Sequence, residues 1–141
     1  MQYQVKTYSP KSEINPSSFF VLSKGINSGK PLETSIPNCF QVNCQDNETR
    51  NHLFWLCKGL WQTNEFRPCL VGSVIEFIRI GDFKKVLNVA VENSLLNFHR
   101  FKKTSRNLDK LVELENNYLR NLQLIQDAKR ALYINIIRYK K

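Results

Sequence analysis

The loop that begins at Gly25 is the first place where this sequence could bind a ligand. The run Gly25-Ile26-Asn27-Ser28-Gly29-Lys30-Pro31 follows an apolar segment, and a glycine-rich loop after a strand can direct backbone N–H groups at phosphate. A P-loop needs four residues between its glycines and a Ser or Thr after its lysine. Here three residues separate Gly25 from Gly29, and Pro31 follows the lysine. The spacing therefore favours a shaped turn with glycines at positive φ over a nucleotide site.

Four cysteines and two histidines are the residues that could hold zinc. Structural zinc sites use tight pairs of ligands on a turn, whereas Cys39 and Cys44 fall on opposite faces of a predicted strand. Cys57 lies on the apolar stripe of a predicted helix, and eleven residues separate it from Cys69. We expect reduced thiols, mainly in a core, and we predict neither a metal nor a cofactor.

Nucleophilic catalysis would need a cysteine or serine beside a base, and only His52 and His99 offer an imidazole. We expect His52 early in a helix with access to solvent, and His99 near the end of a basic helix, where a cation is favourable. Glu76 interrupts an otherwise apolar run. If its carboxylate were buried, it would need a cationic partner, and Arg79 and Lys30 are the candidates. A structurally paired or edge-facing Glu76 is the favoured interpretation.

Loops beside sheets hold most active sites, so any polar pocket should form there. An enzyme is the least favoured functional hypothesis, and no catalytic residue is assigned. The candidate pocket residues are Lys24, Asn27, Lys30, Arg67, Glu76 and Arg79.

Positive charge is concentrated in the last third of the chain. Residues 1–99 hold 10 Lys and Arg against 8 Asp and Glu, a net of +2, and residues 100–141 hold 11 against 4, a net of +7, which together give the total of +9. At about 1.5 Å per helical residue, Arg106 and Arg138 would lie about 48 Å apart, which suits extended contact with a phosphate backbone better than one groove. The candidate nucleic-acid contacts are Arg100, Lys102, Lys103, Arg106, Lys110, Lys129, Arg130 and Arg138.

Apolar and alternating runs predict a small sheet that would position the pocket residues. One strand is predicted over residues 17–23, buried on both faces, and a second over residues 39–44 that pairs with it across the loop at 24–38. Residues 69–80 are apolar on both alternating faces, so they predict the strongest and central strand, with a bulge at Gly72. The polar residues 1–16 are a lead-in that either pairs at an edge or stays mobile.

Three helices are predicted from periodicity and capping residues. They run from about 47 to 61 after Asp46, from about 83 to 103 after Asp82, and from about 106 to 139 after Ser105. The last two should pack as an antiparallel hairpin.

The third predicted helix carries an approximate heptad pattern. Glu115 and Lys129 occupy two of its positions, so a clean two-stranded coiled coil is less favoured than the hairpin. The apolar positions of this stripe are Leu108, Leu111, Tyr118, Leu122, Ile125, Leu132 and Ile136.

These elements predict an α+β fold in a single domain over residues 1–141. It comprises the lead-in at 1–16, a sheet region at 17–80 with an inserted helix at about 47–61, and a helical hairpin at 82–141. The sheet is small and mainly antiparallel, with three to four strands, and the helices cover one of its faces. The 42% hydrophobic residues suffice for a core. We expect no membrane partner and a cytoplasmic location, since no apolar run is long enough to span a bilayer.

Two stretches resemble an uncharacterised family of short bacterial proteins of the Bacteroides type. The first is Phe19-Phe20-Val21-Leu22-Ser23-Lys24-Gly25-Ile26-Asn27-Ser28-Gly29-Lys30-Pro31, with Pro37-Asn38-Cys39-Phe40 after it. The second is Phe66-Arg67-Pro68 with Gly72-Ser73-Val74-Ile75 and Phe77-Ile78-Arg79-Ile80-Gly81-Asp82-Phe83. The resemblance covers about residues 17–85. It implies a bacterial source and no mechanism, and it transfers no functional residue.

The sequence leaves two principal hypotheses of function. The leading one is a non-enzymatic accessory protein that associates with nucleic acid through its basic helical C-terminus. The alternative is a protein-interaction or self-association module, homo-oligomeric or with another protein, that uses the exposed side of the long C-terminal helices.

Overall fold

A computed structural model describes residues 1–138 of the chain. Within that range the fold is α+β, with a four-stranded antiparallel sheet, a two-stranded hairpin and three α-helices. The elements in chain order are β1 (Tyr3–Thr7), β2 (Ser18–Leu22), β3 (Pro31–Leu32), β4 (Cys39–Cys44), α1 (Asn47–Gln62), a 3-10 turn (Arg67–Cys69), β5 (Leu70–Val71), β6 (Phe77–Ile78), α2 (Ile80–Leu96) and α3 (Phe98–Arg138).

The main sheet has the strand order β1-β4-β2-β3. The predicted strands at 17–23 and 39–44 are confirmed, and they pair antiparallel with Phe19 opposite Val42. The lead-in contributes the edge strand β1, in which Val5 lies opposite Val42 on the other side of β4. β4 is therefore an inner strand, and it carries Phe40 and Val42 into the core as period-two alternation requires.

One face of this sheet packs against α1 and α2 to form the core. Phe83 of α2 is fully buried, and its ring centroid lies 5.3 Å from that of Phe40 and 5.4 Å from that of Phe66. Asp46 caps α1 as predicted, because its carboxylate accepts a hydrogen bond of 2.7 Å from the Thr49 amide. The inserted helix and its cap are thus confirmed.

The opposite face of the sheet is covered by the segment between β1 and β2. Gln41 is completely buried there, and its amide donates to the Glu13 carbonyl at 2.9 Å and to Asn43 Oδ1 at 2.8 Å. The Tyr8 ring lies edge-on to Phe20, with centroids 5.3 Å apart. This cover explains why β2 is buried on both faces, as its sequence predicted.

The prediction of a central strand over residues 69–80 is wrong. That stretch forms only the two-residue strands β5 and β6, joined by a turn in which Val74 is 93% exposed. Gly72 adopts φ +108°, and a Cβ there would collide with the Ile75 carbonyl oxygen. A backbone in that conformation leaves the extended region, so the apolar run ends as a hairpin rather than a central strand.

The boundary between the last two helices also differs from the prediction. α2 begins at Ile80, before the expected cap Asp82, and ends at Leu96. Asn97 has φ −124° and ψ 40°, and α3 begins directly after it. Ser105 is therefore inside α3, where its hydroxyl donates to the Lys102 carbonyl at 3.2 Å. The predicted end of this helix at Tyr139, with Lys140 and Lys141, lies outside the described residues.

Backbone contacts divide the chain into two compact units, an N-terminal unit (Met1–Asn97) and a C-terminal unit (Phe98–Lys141). The first contains both sheets, α1 and α2. The described part of the second is α3, a helix of 41 residues with no buried side chain. Its length is about 60 Å at 1.5 Å per residue.

Candidate functional sites

The Gly25 loop is a shaped turn, as the spacing predicted. Gly25 and Gly29 both have φ +92°. The Gly29 amide donates to the Leu22 carbonyl at 2.7 Å, and Ser28 donates to the Gly25 carbonyl through its hydroxyl at 2.7 Å. A Cβ on Gly29 would collide with the ring of Phe66, whereas a Cβ on Gly25 would meet nothing. Positive φ therefore accounts for both glycines, and packing against Phe66 adds a second requirement at Gly29.

A small depression of about 250 Å³ lies beside this loop. Two of the six predicted pocket residues, Arg67 and Glu76, line it. The other side chains in its wall were not predicted, and they come from the end of α1, the following turn and the loop itself: Ile26, Ser28, Trp61, Asn64, Phe66 and Leu70. Asn64 at φ 61° turns the chain there, a conformation that asparagine tolerates well.

The four remaining predicted pocket residues lie around the depression rather than in its wall. Lys24 forms a backbone bridge with Phe77, and Asn27 accepts from the Lys30 amide at 3.0 Å. The Lys30 ammonium lies 5.3 Å from the Trp61 ring centroid, within the range of a cation–π contact. Arg79 occupies the N-cap position of α2 without a side-chain capping bond.

Glu76 does not interrupt a buried strand face. It precedes β6 on the exposed hairpin, and its carbonyl accepts from the Gly25 amide at 2.7 Å. An exposed carboxylate keeps its hydration, so Glu76 needs no cation to compensate for burial. The prediction that it interrupts a strand face is wrong.

His52 is buried, against the expectation that it faces solvent. Its Nε2 lies 2.7 Å from the Ser94 hydroxyl, which donates to the Val91 carbonyl at 2.8 Å. Since a hydroxyl has one proton, the imidazole Nε2–H is then the donor to Ser94. Burial lowers the pKa of His52 from its ordinary 6.5. The pair is only 6% and 8% exposed, so it links α1 to α2 and offers no nucleophile to a substrate.

The cysteines are free thiols, and three of the four are buried. Cys39 donates to the Ile36 carbonyl at 2.9 Å, on the sheet face opposite Cys44. Burial raises the pKa of Cys44 to about 11 and also raises that of Cys57, so both remain protonated at neutral pH. Within residues 1–138 no three His, Cys, Asp or Glu side chains gather in a geometry that could hold a metal.

A groove that the sequence did not reveal lies between the N-terminal part of β1 and α2. Its volume is about 810 Å³, and Lys84 and Asn88 form its helical wall. The Tyr3 hydroxyl bonds to the Asn88 side-chain oxygen across it. Sequence patterning missed this groove because residues 1–16 were predicted to pair at an edge or stay mobile, and no contact between them and α2 was predicted.

Helix α3 carries a line of exposed apolar side chains. We call it the α3 stripe, and it comprises the predicted apolar positions Leu108, Leu111, Tyr118, Leu122, Ile125, Leu132 and Ile136. Their exposed fractions run from 39% at Leu108 to 72% at Ile136. Glu115 and Lys129 lie on the same line, at heptad spacing from Leu108, Leu122 and Ile136.

Most cations of α3 lie away from the stripe. At the heptad spacing of about 103° per residue, seven of the nine Lys and Arg side chains between 98 and 138 fall more than about 100° around the helix from the stripe's centre. We call this the basic face, and it comprises Lys102, Lys103, Arg106, Lys110, Arg120, Arg130 and Arg138. Arg120 was not among the predicted contacts, whereas the predicted Arg100 and Lys129 lie outside this face.

Comparison with known proteins identifies the family. Residues 5–135 match a family of unknown function, DUF6943, and the chain belongs to it. This confirms the resemblance to an uncharacterised family and extends it from residues 17–85 into α3, while the bacterial source stays an expectation. No curated protein and no solved structure matches the chain. No helix within the described residues is long and apolar enough to cross a membrane.

Proposed function

We propose that this is a non-enzymatic interaction protein whose helix α3 packs against a partner helix through the α3 stripe. The exposure of that stripe is the observation that carries the proposal. Seven apolar side chains form one line, and no described side chain of α3 is buried. A contiguous exposed apolar patch of this kind is typical of a surface that a partner covers.

The physical state of α3 supports the same function. Most helical stability in proteins comes from packing of an amphipathic face rather than from intrinsic propensity. Full burial of a leucine or isoleucine contributes about 1.5–3 kcal/mol, so covering a half-exposed one contributes about 1 kcal/mol. The stripe, which runs from Leu108 to Ile136, thus offers a substantial gain to any partner with a complementary apolar helix.

The loop depression supports an enzyme less well. Its volume of about 250 Å³ is below the range of most ligand pockets, and both charged side chains that line it, Arg67 and Glu76, are exposed. A catalytic acid or base at neutral pH usually depends on burial or on a close charge. This depression therefore gives catalysis less support than the α3 stripe gives interaction.

Photo-crosslinking in cells tests the proposed function. A photoreactive amino acid in place of Ile125 lies on the stripe, and the same amino acid in place of Leu124 is a matched control. These neighbours are 57% and 61% exposed, but Leu124 points about 100° away along the helix surface. We expect an adduct from position 125 and little from position 124. Equal yields, or no adduct from 125, would contradict the proposal.

A second candidate function is association with nucleic acid through the basic face. Residues 98–138 hold nine Lys and Arg against four Asp and Glu, a net of +5. Because seven of these nine cations lie away from the stripe, α3 could bind a partner helix and phosphate at the same time. Arg106 and Arg138 belong to one continuous helix, and their separation of about 48 Å suits contacts spread along a backbone.

Fluorescence anisotropy with a labelled duplex and a single strand tests this second candidate. We expect binding that weakens steeply as salt rises, and a shallower salt dependence for the Arg106→Gln, Lys110→Gln variant. Lys84→Gln, Lys85→Gln on α2 is the control, because it removes two cations outside α3. Absence of binding at low salt, or equal loss in both variants, excludes the basic face as the binding surface.

We propose a cytoplasmic setting for both functions. The free thiols support it, since a reducing compartment keeps Cys39, Cys44, Cys57 and Cys69 unpaired. Fractionation of cells that produce the tagged protein tests this, and recovery in a membrane or extracellular fraction would contradict it.

A further inference from the structure

We propose that the partner of α3 is α3 of a second copy of this chain, running antiparallel and crossing near Leu122, so that Glu115 lies beside the partner's Lys129. This inference rests on the proposed function of the α3 stripe and names the occupant of that surface. The charges within the stripe carry it, because they select both the partner and its direction.

Glu115 and Lys129 are placed symmetrically about the middle of the stripe. Each lies seven residues from Leu122, one before it and one after it, which is about 10 Å along the axis in each direction. When a second copy runs in the opposite direction through the same point, these two positions exchange. Each carboxylate then comes within about one helical turn of the partner's ammonium, and the dimer contains this pair twice.

A parallel pair lacks this complementarity. In a parallel two-stranded coil equivalent positions face each other, so Glu115 would face the partner's Glu115 and Lys129 the partner's Lys129. Two like-charge contacts would form inside an apolar seam, where their repulsion is stronger than in water. Glu115 and the partner's Lys129 would meanwhile be 14 residues apart, about 21 Å, which is beyond useful attraction.

Glu115 and Lys129 disfavour a coiled coil with a purely apolar seam. In the antiparallel arrangement they attract each other and set the direction of the two helices. A polar residue at a core position commonly fixes the register and orientation of a coiled coil at some cost in stability. The rest of the stripe is apolar, so the layers on both sides of the charge pairs can close around apolar side chains such as Leu122 and Ile125.

The width of the apolar surface allows more than two helices. Val112, Leu119 and Tyr133 lie along one side of the stripe at heptad spacing. A surface of this width exceeds the narrow seam of a two-stranded coil, so two antiparallel dimers can associate further. The expected mass is therefore twice 16.6 kDa or a larger even multiple of it.

Sedimentation equilibrium on a charge-reversal cycle tests the inference. The variants are Glu115→Lys, Lys129→Glu and the double variant, at low salt. In the antiparallel pair each single change turns both attractions into repulsions, so the association constant should fall at least about tenfold, and the double variant should return to within about threefold of the original chain. Circular dichroism of each variant checks that α3 remains helical.

The other outcomes separate the possible failures. If neither single variant weakens association, the copies pair in parallel or in another register, and the antiparallel inference is overturned. A chain that stays at 16.6 kDa at all concentrations overturns the second copy as partner. An adduct at position 125 in cells would then still support the proposed function with a different protein, whereas absence of that adduct would remove the proposed function as well.

Discussion

The N-terminal unit and α3 use apolar residues in opposite ways. In the N-terminal unit the large side chains Phe19, Phe66 and Phe83 are at most 2% exposed. In α3 no described side chain is buried, although the helix carries an approximate heptad pattern of apolar residues. The first unit buries its large apolar side chains within itself, and the described part of the second leaves most of its apolar side chains exposed.

The contrast between the packed N-terminal unit and the exposed helix α3 shows which sequence features are useful for inferring function. The features that suggest chemistry lie in the N-terminal unit, and packing explains them: Gly29 makes room for Phe66, and His52 joins two helices. Heptad spacing and charge placement in α3 have no such internal explanation. Features left unexplained by packing are therefore the better guide to function here.

The largest expected effect separates the core from the stripe. Phe83→Ala should lower the free energy of unfolding of the N-terminal unit by about 3–5 kcal/mol, because it leaves a cavity between the Phe40 and Phe66 rings. Leu122→Ala should change it by less than about 0.5 kcal/mol, since that side chain is 51% exposed.

Urea unfolding followed by tryptophan fluorescence measures this difference. Trp55 and Trp61 are the tryptophans of the chain, and both lie on α1, so the signal reports on the N-terminal unit. Similar losses in the two variants would mean that the division into a packed and an unpacked unit is incorrect.

The two glycines of the Gly25 loop allow a second comparison, between backbone strain alone and backbone strain with a collision. Gly25→Ala and Gly29→Ala impose the same backbone strain, since both residues have φ +92°, and each should lose about 1–2 kcal/mol for it. Only the second adds a collision with Phe66, which should raise its total loss to about 2–5 kcal/mol. Thermal unfolding of the two variants measures the gap, and equal melting temperatures would show that packing does not require Gly29.

The smallest expected effect concerns pH. Because burial lowers the pKa of His52 below its ordinary 6.5, the unfolded chain binds a proton first as pH falls. Stability linked to His52 is therefore present above pH 6.5 and is lost as the pH falls towards the lower pKa of the folded state. Urea unfolding between pH 5 and 8 should show this loss in the original chain and in His99→Gln, and a weaker one in His52→Gln. An unchanged slope in His52→Gln would assign the dependence to another group.

The elements that were predicted correctly from the sequence are those whose conformation depends on local signals. Alternation in β2 and β4 and the cap at Asp46 are local signals, and the structure confirms them. The run from 69 to 80 misled because apolar side chains suit both a buried strand and a hairpin that packs at one end. The positive φ of Gly72 decides in favour of the hairpin. From the sequence, only a β-bulge was predicted at this glycine.

Other errors arose where tertiary neighbours decide the outcome. Periodicity continues across Asn97, so the sequence did not mark the end of α2. His52 adjoins the apolar stripe of α1, and only the position of α2 makes it buried. Two residues of the loop depression were predicted because they are polar loop residues, whereas Trp61 and Phe66 were not, since their place in its wall depends on how α1 ends.

Amide hydrogen exchange at several protein concentrations tests whether copies of this chain assemble through the α3 stripe. We expect protection of amides between 108 and 136 to rise with concentration, because association orders the helix that carries the stripe, while protection in β2, β4 and α1 stays constant. Protection of α3 that is the same at every concentration, whether high or low, would contradict such assembly.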